Sequence, residues 1–110
     1  MNSDLEKYMH ACIANGVARE CGNVKAGNKQ ADIIFTIYAL LKESNRLEEL
    51  MSLLSHENLY VRLWAATHCL QFPNSGAEEI LCELARLKGS VVALSAHTSL
   101  FGWRNGMAKF

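Results

Sequence analysis

Proline is almost absent from this chain, with one residue, Pro73, in 110. Glycine numbers only seven, and aromatic residues make up 8% of the sequence. An all-β domain needs frequent turns built from glycine and proline, so the scarcity of these two speaks against sheets and for long helices with few breaks. No stretch approaches the roughly 20 apolar residues of a membrane helix. The segment Met1-Asn2-Ser3-Asp4-Leu5-Glu6 is polar and has no signal-peptide core, from which a cytoplasmic protein is expected. There is no CxxC pair, no HExxH pair and no glycine-rich phosphate loop. Cys12, Cys21, Cys69 and Cys82 are scattered instead through helical segments, and they read as reduced, mostly buried thiols. Beyond Glu83 there is no acidic residue at all.

What the chain does have is an apolar fraction of 50%, enough to build a core, so residues 1–110 read as one small folded domain. Apolar positions repeat with a shift of 30: Leu50 meets Ile80, Leu54 meets Leu84, Val61 meets Val91, Ala66 meets Ala96 and Leu70 meets Leu100. A period of this size with helical spacing inside each copy indicates stacked helix pairs, which commonly serve as surfaces for another macromolecule.

The first helix is expected from Ser3, as N-cap with Glu6 completing a capping box, to about Cys21-Gly22. Gly16 within it implies a kink or a close helix contact. Gly22 to Asn28 reads as a loop and Lys29 to Glu43 as the second helix. The run Ile33 to Tyr38 also suits a strand, but it continues unbroken for longer than a strand usually does. A third helix is expected over Leu47 to Leu54, and a fourth from an Asn58 cap to Phe72. The fifth runs from Ala77 to Leu87 and the sixth from a Ser90 cap to Trp103, leaving Asn105 to Phe110 as a frayed tail.

On the fourth helix, Leu59, Leu63, Ala66 and Leu70 form one apolar stripe and Val61, Ala65, Cys69 and Phe72 a second, as in a helix packed between neighbours. The remaining arc holds Tyr60, Trp64, Thr67, His68 and Gln71, and its counterpart in the second copy holds Leu94, His97, Thr98 and Phe101. The arc either faces a partner, or Trp64 and Tyr60 simply cover the edge of the core. Arg62 interrupts the stripes and is expected to pair with Glu57 or Glu83 or to cap a helix end.

Eleven basic and eleven acidic residues cancel, so the overall charge gives no hint of nucleic acid. The distribution is uneven. Residues 43–83 carry seven glutamates against Arg46 and Arg62, whereas the chain after Glu83 carries Arg86, Lys88, Arg104 and Lys109. The acidic middle is either a set of solvated helix faces or a steering surface for a cationic partner, with Glu48, Glu49 and Glu57 as its candidate charges.

Little in the sequence suggests chemistry. His10 and Cys12, two apart on a helix, do not converge on one ion, and His68 and Cys69 diverge. Cys69 or Cys82 with His68 or His97 would need an activated thiol, and thiols on apolar stripes are ordinarily inert. The pairs Glu48-Glu49 and Glu78-Glu79 sit in first turns, where negative charge suits the helix dipole. No catalytic residue, metal ligand or cofactor is therefore expected.

The segment Tyr60-Val61-Arg62-Leu63-Trp64-Ala65-Ala66-Thr67-His68-Cys69-Leu70 resembles the signature of the domain-of-unknown-function 2019 family of small bacterial HEAT-like helical proteins. Ser95-Ala96 and Leu100-Phe101-Gly102-Trp103-Arg104-Asn105-Gly106 are similar to that family's closing segment. Ala26-Gly27-Asn28-Lys29-Gln30 and Ile37-Tyr38 are less distinctive. The resemblance implies an all-α, HEAT-like α-α superhelix of about six helices. It further implies similarity to immunity proteins of contact-dependent growth inhibition systems, which bind and block a cognate toxin domain, often a nuclease with a basic cleft. On that basis the expected partner is a protein and neither nucleic acid nor a membrane. The alternative is a general HEAT-like interaction or regulatory module without a toxin partner. The expected partner-binding residues are Glu48, Glu49, Glu57, Tyr60, Trp64, Thr67, His68, Gln71 and His97.

Overall fold

The computed structural model describes residues 3–107. They form five α-helices and one 3₁₀ helix, with no strand among the described residues. The α-helices are α1 (Ser3–Glu20), α2 (Val24–Glu43), α3 (Leu59–Cys69), α4 (Ala77–Ala85) and α5 (Val91–Arg104), and the 3₁₀ helix is Leu47–Leu53. The described residues are thus all-α with six helices. It divides into two compact units, one ending at Glu49 and the other beginning at Leu50.

In the first unit α1 packs along α2 as an antiparallel pair. The connection is only Cys21-Gly22-Asn23, and Gly22 turns it with a φ of 73°, a conformation glycine adopts without a side-chain clash. Asn23 then caps α2, its Oδ1 accepting from the Ala26 N–H at 3.1 Å. The helix therefore starts well before Lys29, and the expected loop from Gly22 to Asn28 is mostly helix. Gly27 lies inside it, buried, and its carbonyl accepts a 3.0 Å hydrogen bond from Asn15 Nδ2 on α1. Packing against α1 thus offsets the poor helix propensity of Gly27-Asn28. The run from Ile33 to Tyr38 is helical, and Ile34, Ile37 and Leu41 face inward on it. Ser3 is already helical rather than a cap, and the residues before it lie outside the described range.

The second unit is built around α3, which packs on both α4 and α5 while those two pack on each other. Asn58 caps α3 twice over, its Oδ1 accepting from Tyr60 N at 2.9 Å and Val61 N at 3.2 Å. Ser90 caps α5 through Ala93 N at 3.0 Å. Val61, Ala65, Ala66 and Cys69 of α3, Leu81 of α4 and Ala96 of α5 are fully closed to solvent. Burying each larger aliphatic side chain of this kind stabilises by roughly 1.5–3 kcal/mol. The 30-residue shift superposes α3 on α5 and the 3₁₀ helix on α4, and its pairs Leu54 and Leu84, Ala66 and Ala96, and Leu70 and Leu100 are all buried.

Several ends differ from expectation. The third element is 3₁₀, not α. The fourth helix stops at Cys69, three residues short of Phe72, and α4 stops at Ala85. Of the expected tail, Ala108 to Phe110 lie outside the described residues. No described helix is long and apolar enough to cross a membrane.

Candidate functional site

The acidic middle is where sequence and structure combine most directly. Glu48 and Glu57 are exposed, as are Glu43, Glu79 and Glu83, and none of the five has a cationic partner among the described residues. Glu49 is different. Arg46 grips it with two nitrogens, Nε to Oε2 at 2.9 Å and Nη2 to Oε1 at 3.2 Å, and donates Nη1 to Asp4 Oδ2 at 3.3 Å. These bonds, first of all that to Glu49, raise the pKa of the guanidinium. Glu49 is therefore committed to the fold of the first unit and less available for steering than Glu48.

Arg62 makes no ion pair with Glu57 or Glu83 among the described residues, contrary to expectation. Its side chain is half-buried, and its Nε is closed to solvent without a hydrogen-bond partner. Both cations of the acidic stretch are thus drawn into the structure, one by carboxylates and one by burial, while most of the carboxylates stay outside.

The leftover arc of α3 belongs largely to the core. Tyr60 is 7% exposed and His68 is 5% exposed, so neither offers a surface for a partner. Burial pulls the His68 pKa down to about 4, which keeps the imidazole neutral. Trp64 is half-buried with its ring 5.9 Å from that of His68, the planes tilted by 54°. Gln71 Nε2 donates to the His68 carbonyl at 2.8 Å. Thr67 Oγ1 donates to the Leu63 carbonyl at 2.8 Å and lies 3.1 Å from Ser99 Oγ of α5. The Thr67 hydroxyl and the Gln71 amide are thus spent on internal bonds.

The equivalent arc of α5 is open. Leu94 is 70% and Phe101 62% exposed, and His97 and Thr98 lie exposed between them. The repeat therefore buries one arc and presents the other. Arg104, at the end of the same helix, bonds Glu78 Oε2 at 3.0 Å and Cys82 Sγ at 3.6 Å.

Two hollows were not foreseen. One, of about 600 Å³, is lined by Leu70, Phe72, Pro73, Glu78, Glu79 and Trp103 around the turn before α4. The other, of about 550 Å³, runs along α2 past Ile33, Ile37 and Leu40, with Asp4 and Lys7 of α1 beside it. The signal for the second was the spacing of Ile33, Ile37 and Leu40, which in sequence looks the same as a buried face.

All four cysteines are free. Cys12 and Cys69 are buried, and desolvation raises both thiols, Cys69 to about 12. Neither is a nucleophile at neutral pH. No group of three or more His, Cys, Asp or Glu side chains among the described residues is placed to hold a metal ion. Compared with protein-family models, curated proteins and solved structures, the chain matches none.

Proposed function

We propose that this protein is an immunity-type binding module that neutralises a bacterial toxin domain by covering a basic cleft. The observation that supports it is the excess of uncompensated carboxylates between Glu43 and Glu83. Glu48, Glu57, Glu79 and Glu83 stand exposed and unpaired among the described residues, while Arg46 of the same stretch is bound by Glu49 and Asp4 and Arg62 is half-buried. Such an excess of negative charge attracts a cationic partner from a distance and speeds its encounter, and the effect fades with salt. The resemblance of the α3 segment and the closing segment to the domain-of-unknown-function family points the same way.

The test begins with the genes flanking this one. A neighbouring toxin gene supplies a domain to co-express and purify. This chain then protects the host cells and forms a complex whose association rate falls steeply with salt. A toxin domain that kills equally well in its presence, and does not bind it, removes the proposal. The row of Leu94, His97, Thr98 and Phe101 supports a second reading, a general interaction module, because α5 carries no acidic residue and does not require a basic partner.

A further inference from the structure

Unit one carries a further exposed surface, which shares no residue with Glu48, Glu57, Glu79 and Glu83 and is independent of the toxin reading. α2 turns Ile34 and Leu41 inward, but Ile33 and Leu40, one step round the helix and two turns apart, remain 39% and 44% exposed. Ile37, at 6% exposure, lies between them as a floor, and Thr36 and Ala39 complete the run. The Thr36 hydroxyl is already donated to the Asp32 carbonyl at 2.8 Å, so it is not offered to a ligand. The result is an apolar trough of about 550 Å³ whose charged residues are Asp4, Lys7, Asp32 and Glu43.

Those charges decide what fits. Three are acidic and one is basic. Arg46 answers Asp4, but Asp32 and Glu43 have no cationic partner among the described residues. A second copy of the chain would bring the same negative excess to the same place, and an anionic membrane surface would do likewise. A cationic partner is attracted. The spacing adds detail: Asp32 and Glu43 are eleven positions apart on one helix, about 16 Å at 1.5 Å per residue. They bracket the apolar run, which spans about 10 Å by the same rise.

We propose that this trough binds an amphipathic helix of a protein partner, one that lays apolar side chains at i, i+4 and i+7 along Ile33, Ile37 and Leu40 and sets lysine or arginine against Asp32 and Glu43. Helices commonly dock in grooves through anchors at this spacing. The two carboxylates fix the helix lengthwise, and the apolar floor supplies the dry contact.

The test uses the full chain, isotope-labelled for NMR, and two synthetic helical peptides with leucine at i, i+4 and i+7. One carries lysine on both flanks and the other glutamate. The lysine peptide is expected to move the amide signals of residues 32–43, to bind at least tenfold tighter than the glutamate peptide, and to weaken with salt. Asp32→Lys with Glu43→Lys should reverse that preference. Ile33→Ser with Leu40→Ser should weaken the lysine peptide at least tenfold, with circular dichroism confirming that the helices persist. If that double variant does not fold, the charge reversal, which alters exposed positions only, decides alone. Equal binding of the two peptides, or shifts centred elsewhere, would overturn the proposal. So would sedimentation showing a dimer that Ile33→Ser and Leu40→Ser dissolve, since the trough would then be covered by a second copy.

Discussion

A histidine buried to the extent of His68 makes the fold sensitive to acid. Its pKa is lowered from 6.5 to about 4 by desolvation, so the unfolded chain takes up a proton in a range where the folded chain does not. The contribution is constant above pH 6.5 and is lost as pH falls towards 4. Between pH 7 and pH 5 it should cost about 2 kcal/mol, at about 1.4 kcal/mol per pH unit of full effect. Urea unfolding at the two pH values measures this, and His68→Leu should remove most of the slope; an unchanged slope contradicts the assignment. Next to it, Cys69→Ser places a hydroxyl in a fully closed site and should lower stability by about 1–3 kcal/mol in the same assay at pH 7. The burial of Cys69 was legible from its apolar stripe. That of Tyr60 was left open and that of His68 was not legible, because a helix packed against two neighbours closes off more of its circumference than its stripes alone mark out. Polar residues can enter that margin when they are neutral or internally bonded.

Helix boundaries followed the side-chain caps expected at Asn58 and Ser90 but not the one expected at Ser3, which is already helical. Asn58 and Ser90 were recognisable because each stands directly before an apolar-periodic run. Asn23 was not, because Gly22, Gly27 and Asn28 around it carry the composition of a loop. Only the contact with Asn15 of α1 shows why that stretch is helical. Asn58 satisfies two otherwise free N–H groups, at 2.9 and 3.2 Å, whereas Asn23 satisfies one. Asn58→Ala should therefore lower stability by about 1–2 kcal/mol, and Asn23→Ala by less, in parallel denaturant titrations. Equal losses would mean that the second bond at Asn58 adds nothing. The 3₁₀ geometry of Leu47–Leu53 had no such marker. Its sequence is a good helix former, and its tighter winding is not encoded in propensity.

For the molecule as a whole, the helical class and the repeat of apolar positions were written in the sequence, and the division into two units was not, since nothing near Glu49 breaks the composition. The surface charge was legible as a sum but not as an arrangement. Only the folded structure shows that Glu49 is engaged by Arg46 while Glu48 and Glu57 stand open. Glu48→Lys with Glu57→Lys should slow association with a basic toxin domain roughly tenfold at low salt and flatten its salt dependence, leaving the dissociation rate nearly unchanged. Stopped-flow mixing at several ionic strengths reads both rates, and a change confined to dissociation would place these carboxylates inside a contact instead. The two closed thiols also make the chain its own clock. Cys12 lies in one unit and Cys69 in the other, while Cys21 is exposed and should react at once with a thiol reagent. Each buried sulfur can be labelled only during an opening event, so the two slow labelling rates, resolved by peptide mass, count the openings of each unit separately. Equal rates that respond together to Asn58→Ala would mean that residues before and after Glu49 come apart in one cooperative step, and unequal rates that they breathe on separate schedules.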